Sequence, residues 1–167
     1  PMADKESAEA LALAARAGGC NIIAHPHSAR IAFFKRVPVD WKQWDTQDFC
    51  GIEVWSYLHD VCDRTVPWAA PLLLWAPNTL IRGPRAETLQ LWDRLLQQRP
   101  VAGVGALDNH AHRTPLGTIV PHRKAFRALR THVICQQLPP DSSVAELLLT
   151  RAICAGRSNW AGSTRIR

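Results

Sequence analysis

The stretch Val101-Ala-Gly-Val-Gly-Ala-Leu-Asp-Asn-His-Ala-His112 decides the fold. Val101 to Leu107 form a short apolar, glycine-spaced run, which predicts a buried strand of a parallel sheet. The run ends abruptly in Asp108, His110 and His112, three candidate metal ligands. In α/β folds, chemistry is placed at the carboxyl ends of parallel strands. Alternation along an extended chain sends Asp108 and His110 to one side, so both can grip one ion or two adjacent ones. A carboxylate beside an imidazole suits zinc, manganese or iron. The competing reading is that these residues cap a strand and face water.

Working outward, the same grammar recurs. Residues 3–17 are Ala-rich and helical, stopped by Gly18-Gly19. Cys20 to Ala24 is a second short apolar strand, ending in His25-Pro26-His27, where proline forces a turn. His25 thus stands at a strand's carboxyl end, as Asp108 does, and His27 is expected to be exposed. A connection follows over residues 28–48, with a short helix around Trp41–Asp48. Gly51-Ile-Glu-Val-Trp-Ser56 is a third strand. Its Glu53 is flanked by Ile52 and Val54, and a buried carboxylate there needs a cationic or metallic partner. His59, Asp60 and Asp63 mark a helix start, where acidic residues favour the dipole, and are given no chemistry.

Residues 66–82 are apolar but broken by Pro67, Pro71 and Pro77, and read as helical turns covering the sheet. Pro84 opens an amphipathic helix to Arg99, with Leu89, Trp92, Leu95 and Leu96 on its apolar side. The basic cluster from His122 to Arg127 reads as a solvated face. Arg113, Arg123 and Lys124, lying just after the candidate site, are the candidates for a phosphate contact. A strand over 131–135, a helix capped by Asp141 or Ser142 and running to Ala155, and a last strand over 158–163 complete the chain. Strand–helix–strand repetition predicts an α/β fold with crossover helices.

Size and composition agree with one domain over residues 1–167: hydrophobic content is 47% and charged content 20%. No apolar run approaches the roughly 20 residues needed to cross a bilayer. The net charge of +6 favours anionic partners, either small phosphorylated molecules or nucleic acid. The seven tryptophans are not interleaved with a basic run, so they read as core and interface packing. The five scattered cysteines form no Cys-x-x-Cys pair. They read as free buried thiols in a reducing, cytoplasmic compartment, not as a zinc ribbon or disulfide framework.

Taken in order, Ile22-Ile-Ala-His25-Pro26, Gly51-Ile-Glu-Val54 and Gly105-Ala-Leu-Asp108-Asn-His110 resemble the later motifs of the PHP family (polymerase and histidinol phosphatase domains). Phe126-Arg-Ala-Leu-Arg-Thr-His-Val-Ile134, followed by a helix ending Ala155-Gly-Arg157, is similar to the tail of those domains, and the resemblance spans residues 8–163. It implies a distorted (β/α)7 TIM-like barrel with metal ions at the carboxyl ends of its strands. It also implies a metal-dependent phosphoesterase activity on a small phosphorylated substrate. His25, Asp108 and His110 match metal ligands, with Asp108 and His110 at the reacting centre, and Glu53 matches a supporting acidic position. The divalent ion is zinc, manganese or iron. The family's opening His-x-His segment has no counterpart upstream of residue 25, so the resemblance is to the C-terminal portion of a longer barrel lacking its first strands. A catalytically incomplete binding or interaction module is the alternative. A nucleic-acid-processing domain and a C–N hydrolase of an amidohydrolase-like barrel are weaker ones.

Overall fold

The computed structural model describes residues 2–27, 40–63, 65 and 67–162. Residues 28–39 of the expected connection, and residue 163 of the expected last strand, lie outside the described residues. Three short strands form a parallel sheet in the order β1 (Ile22–Ile23), β2 (Gly51–Ser56), β3 (Ala102–Ala106). Ile23 pairs with Ile52, and Gly51 to Ser56 pair with Ala102 to Ala106, with a register shift between Glu53 and Trp55. No closed barrel forms among the described residues. The first strand is shorter than its apolar run, because Cys20 and Asn21 serve to join α1 (Met2–Arg16) to the sheet.

Between β2 and β3 the chain runs through α2 (Tyr57–Asp63), two short 3-10 turns around α3 (Leu72–Trp75), and α4 (Ala86–Leu96). The prolines of this region fall where the helices break, as expected of residues that cannot donate a backbone hydrogen bond. A β4–β5 ribbon (Arg113–Thr114, Gly117–Thr118), α5 (His122–Ala128), β6 (Leu129–Val133), α6 (Ser142–Cys154) and β7 (Ser158–Gly162) complete the order. Asp141 caps α6, its Oδ1 accepting the backbone N–H groups of Ser143 and Val144, which contributes about 1 kcal/mol.

Strand β2 is buried on both faces. Ile52 and Val54 pack with Ile23, Leu91, Leu95 and Val101, whereas Trp55 packs with Tyr57, Val61, Val120 and Leu129. The apolar side of α4 is set by Leu91 and Leu95, and Leu96 is 43% exposed, which corrects the expected stripe by a partial turn. The cause is Trp92. Its indole lies on Gly103, where an added Cβ would come within 2.7 Å of the ring, and its Nε1 donates to the Val101 carbonyl. This contact fixes the rotation of the helix on the sheet.

The expected short helix around Trp41–Asp48 is not formed. The segment is irregular, held by the Asn21 Nδ2 bond to the Asp48 carbonyl and by the Thr46–Asp48 side-chain contact. Antiparallel β6 and β7 cover the far side of β3. There the Thr131 hydroxyl donates to the Gly105 carbonyl and accepts the Gly105 N–H, so a side chain satisfies backbone groups that a strand would otherwise meet. No helix among the described residues is long and apolar enough to cross a membrane.

Candidate functional site

The carboxyl ends of the three parallel strands meet in one row of ionisable side chains. His25 follows β1 with φ of 30°, and Asp108 follows β3 with φ of 44°. Both are non-glycine residues in the left-handed region, a conformation that persists only where its surroundings enforce it. The His25 backbone N–H donates to Glu53 Oε2 at 2.5 Å. The His25 ring stacks on His59, with centroids 5.0 Å apart. His59 Nε2 lies 3.3 Å from Asp108 Oδ2, and His110 Nε2 lies 3.6 Å from Asp108 Oδ1. His110 in turn stacks on His112 at 5.5 Å.

Backbone contacts hold this row. The Leu58 N–H donates to the Leu107 carbonyl, which brings the start of α2 against the end of β3. Asn109 Nδ2 donates to the Val120 carbonyl, and its Oδ1 accepts the Ala111 N–H, which ties down the loop after Asp108. Buried Asp60 accepts from Trp55 Nε1 and from the backbone N–H groups of Arg82 and Gly83 through a single oxygen. It pins the turn that faces His25 and His59 across a narrow cleft. The cleft volume is about 20 Å³, which suits one ion or water and excludes a phosphoester substrate from its interior.

The two carboxylates are tuned in opposite directions. Burial pushes the Glu53 carboxyl up, partly offset by the His25 N–H that it accepts. The hydrogen bond from His59 holds the Asp108 carboxyl below the ordinary range, against a smaller opposing effect of its partial burial. Among the described residues, His25 Nδ1 is buried without a hydrogen-bond partner, whereas the Ser56 hydroxyl acts on the Glu53 carboxyl. Leaving such an atom unmet costs about 1–3 kcal/mol, so His25 Nδ1 is poised for a ligand. Imidazole and carboxylate donors are the types that zinc, manganese and iron accept.

The residues expected to act together are therefore brought to one end of the sheet, but as linked pairs. His25 contacts Glu53 and His59, and Asp108 contacts His59 and His110. Histidine 59, given no chemistry from the sequence, is the bridge between the pairs. Its position three residues past β2 is the signal that the strand-end rule could have used. His27 is half-buried, with Nδ1 3.1 Å from the Thr88 hydroxyl, so the expected exposure is corrected. Of the phosphate candidates, Arg113 and Arg123 are exposed. The Lys124 ammonium is committed to the carbonyls of Leu74 and Trp75, where it caps α3.

A second constellation lies at the opposite end of the sheet. Cys20 precedes β1, Cys50 precedes β2 and Cys154 ends α6. Cys20 and Cys154 are joined as a disulfide, and Cys50 Sγ lies 3.0 Å from Cys20 Sγ and 2.6 Å from Cys154 Sγ. This corrects the expectation of scattered thiols; Cys62 and Cys135 lie outside the cluster and, like Cys50, form no disulfide. The three sulfurs are close enough to share one metal ion, and among the described residues they are the one group of three or more His, Cys, Asp or Glu that is. No family model, curated protein or solved structure matches this chain, so both sites are read from their own geometry.

Proposed function

We propose that the histidine–carboxylate row is the metal site of a PHP-type phosphoesterase, and that the three parallel strands belong to such a barrel. The observation that carries this reading is that β1, β2 and β3 each deliver an ionisable side chain to one row, with His25 and Asp108 both held at positive φ. His25, Asp108 and His110 would hold a divalent ion, zinc, manganese or iron, with Glu53 in support. When bound, that ion supplies Lewis acidity toward phosphoryl oxygens and an acidified water.

The chain's own residues do the rest. His59 keeps the Asp108 carboxylate ionised and oriented. Glu53, raised by burial, is suited to hold a proton at Oε1 and to release it when a cation arrives. A small phosphorylated substrate would lie over the cleft, with exposed Arg113 or Arg123 free to meet its phosphate. Nucleic acid is the weaker partner reading, since the basic residues form no continuous stripe.

One observation favours a second reading, a non-catalytic binding module. His25, Asp108 and His110 do not form a three-ligand group with mutually close donor atoms among the described residues. Elemental analysis of the wild-type chain and of Asp108→Asn, purified without chelator and followed by a phosphomonoester panel, separates the two. The phosphoesterase reading expects metal content and hydrolysis to fall together in the variant. Equal metal content in both proteins, with no hydrolysis by either, selects the binding module.

A further inference from the structure

We infer that Cys20, Cys50 and Cys154 form a redox-gated site for one thiophilic metal ion at the amino end of the sheet, with the Cys20–Cys154 disulfide as its metal-free, oxidised state. The site is independent of the histidine–carboxylate row.

The three sulfurs come from segments 30, 104 and 134 residues apart, yet they meet within 3.0 Å. A bridge that only stapled the fold would need two of them. Cys50 Sγ is held against both partners by a framework of backbone contacts: the Cys50 N–H donates to the Asn21 carbonyl, and Asn21 Nδ2 ties the carbonyls of Leu11 and Asp48 together. The Cα atoms of Cys20 and Cys154 are 6.4 Å apart, inside the span that either a disulfide or a shared ion accepts. An all-thiolate donor set selects soft ions such as zinc(II) or copper(I) over magnesium, calcium or manganese.

Burial pushes the Cys50 thiol up, partly offset by backbone hydrogen bonds and by the Arg99 guanidinium, so an ion binding there displaces a proton. Three thiolates around a divalent cation carry a net charge of minus one, which the Arg99 guanidinium opposes in sign. Arg99 is itself fixed, donating to the Phe49 carbonyl and lying 4.2 Å from the centre of the Phe49 ring. All three cysteines are half-buried, and Cys20 lines an open surface depression beside α6, so an ion or a small oxidant can reach them.

The gating step balances with a low-molecular-weight disulfide as the oxidant. One cluster thiolate, of Cys20 or Cys154, attacks the oxidant and releases its first thiolate. The other attacks the mixed disulfide and releases the second. Two electrons leave the cysteines and reduce the oxidant to two thiolates. The ion, left with Cys50 alone, departs.

The test uses the full chain, reduced and kept anaerobic, and titrated with cobalt(II) and then zinc(II). The expected result is one equivalent of cobalt with thiolate-to-metal charge-transfer absorption, displaced by zinc. His110→Ala should keep this band, whereas Cys50→Ser should weaken binding by about 100-fold or more, since even outer-shell changes cost 10–100-fold. Should Cys50→Ser fail to fold, wild-type alkylation decides. Zinc should protect Cys20, Cys50 and Cys154 and leave Cys135 unchanged. Oxidised glutathione should then release one zinc per chain and yield the Cys20–Cys154 peptide. Absence of the band, equal alkylation of the three cysteines with and without zinc, or disulfide formation with no loss of zinc would each overturn the inference. Failure of the histidine site leaves the band in place, so the two proposals fail separately.

Discussion

The two ends of the β1–β2–β3 sheet differ in the chemistry they gather and in how they hold it. At the carboxyl end, imidazoles and carboxylates form a row in which each group contacts the next, and the backbone at His25 and Asp108 is held at positive φ. At the amino end, three sulfurs converge on one point, held by ordinary backbone hydrogen bonds. Borderline nitrogen and hard oxygen donors thus sit where parallel strands usually carry chemistry, and soft donors sit where they usually carry stability. One central strand serves both ends, so the comparison can be broken in the middle or sharpened at either side.

Breaking it in the middle has the largest expected effect. Ile52 is fully buried in β2, between the two ends. Ile52→Ala should cost about 2–5 kcal/mol. It should loosen the cysteine cluster and the histidine row together, read as a lower urea midpoint with parallel loss of near-ultraviolet signal. Loss at one end alone would mean that the ends fold as separate units.

The next effect is confined to the carboxyl end. His59 touches His25 and Asp108, and its removal takes one contact from each. His59→Ala should reduce metal affinity at the histidine site by about 10–100-fold, as outer-shell partners of a metal site commonly do. It should leave the reactivity of Cys20, Cys50 and Cys154 unchanged. Unchanged metal affinity in this variant would remove His59 from the row's function.

The smallest effect is a difference in pH response between two neighbouring carboxyls. Asp108 is lowered, so its stabilising contribution is present above about pH 4 and is lost as pH falls through its depressed value. Glu53 is raised, so its contribution has the opposite sign: it is present below about pH 4 and fades as pH rises through the raised value. Urea midpoints across this range should show a smaller acid-side loss in His59→Ala than in wild type, because the Asp108 carboxyl then differs less between the folded and unfolded chain. Identical profiles would show that the imidazole does not hold the carboxylate.

How much of this could be read beforehand depends on sequence distance. The parallel strands and the strand-end positions of His25 and Asp108 were legible because apolar runs, glycines and a proline mark them locally. Glu53 was legible as a buried carboxylate needing a partner, and its partner proved to be the His25 backbone N–H. His59 was not, because Leu58, His59 and Asp60 look like any helix start until α2 docks on Leu107. The role of Lys124 depends on α3, about fifty residues earlier in the chain. The cysteine cluster was hidden for the same reason in stronger form, since no local pattern announces sulfurs 30, 104 and 134 residues apart.

The Cys20–Cys154 bridge also decides how the protein meets tension. When it is closed, force applied at the two chain ends passes through sulfur and bypasses the 134-residue span that holds the sheet. The strands β1, β2 and β3, which lie within that span, are then off the direct load path. With the bridge open and an ion in its place, the same pull runs through coordinate bonds that can yield one at a time. Oxidation would convert a compliant clasp into a rigid one.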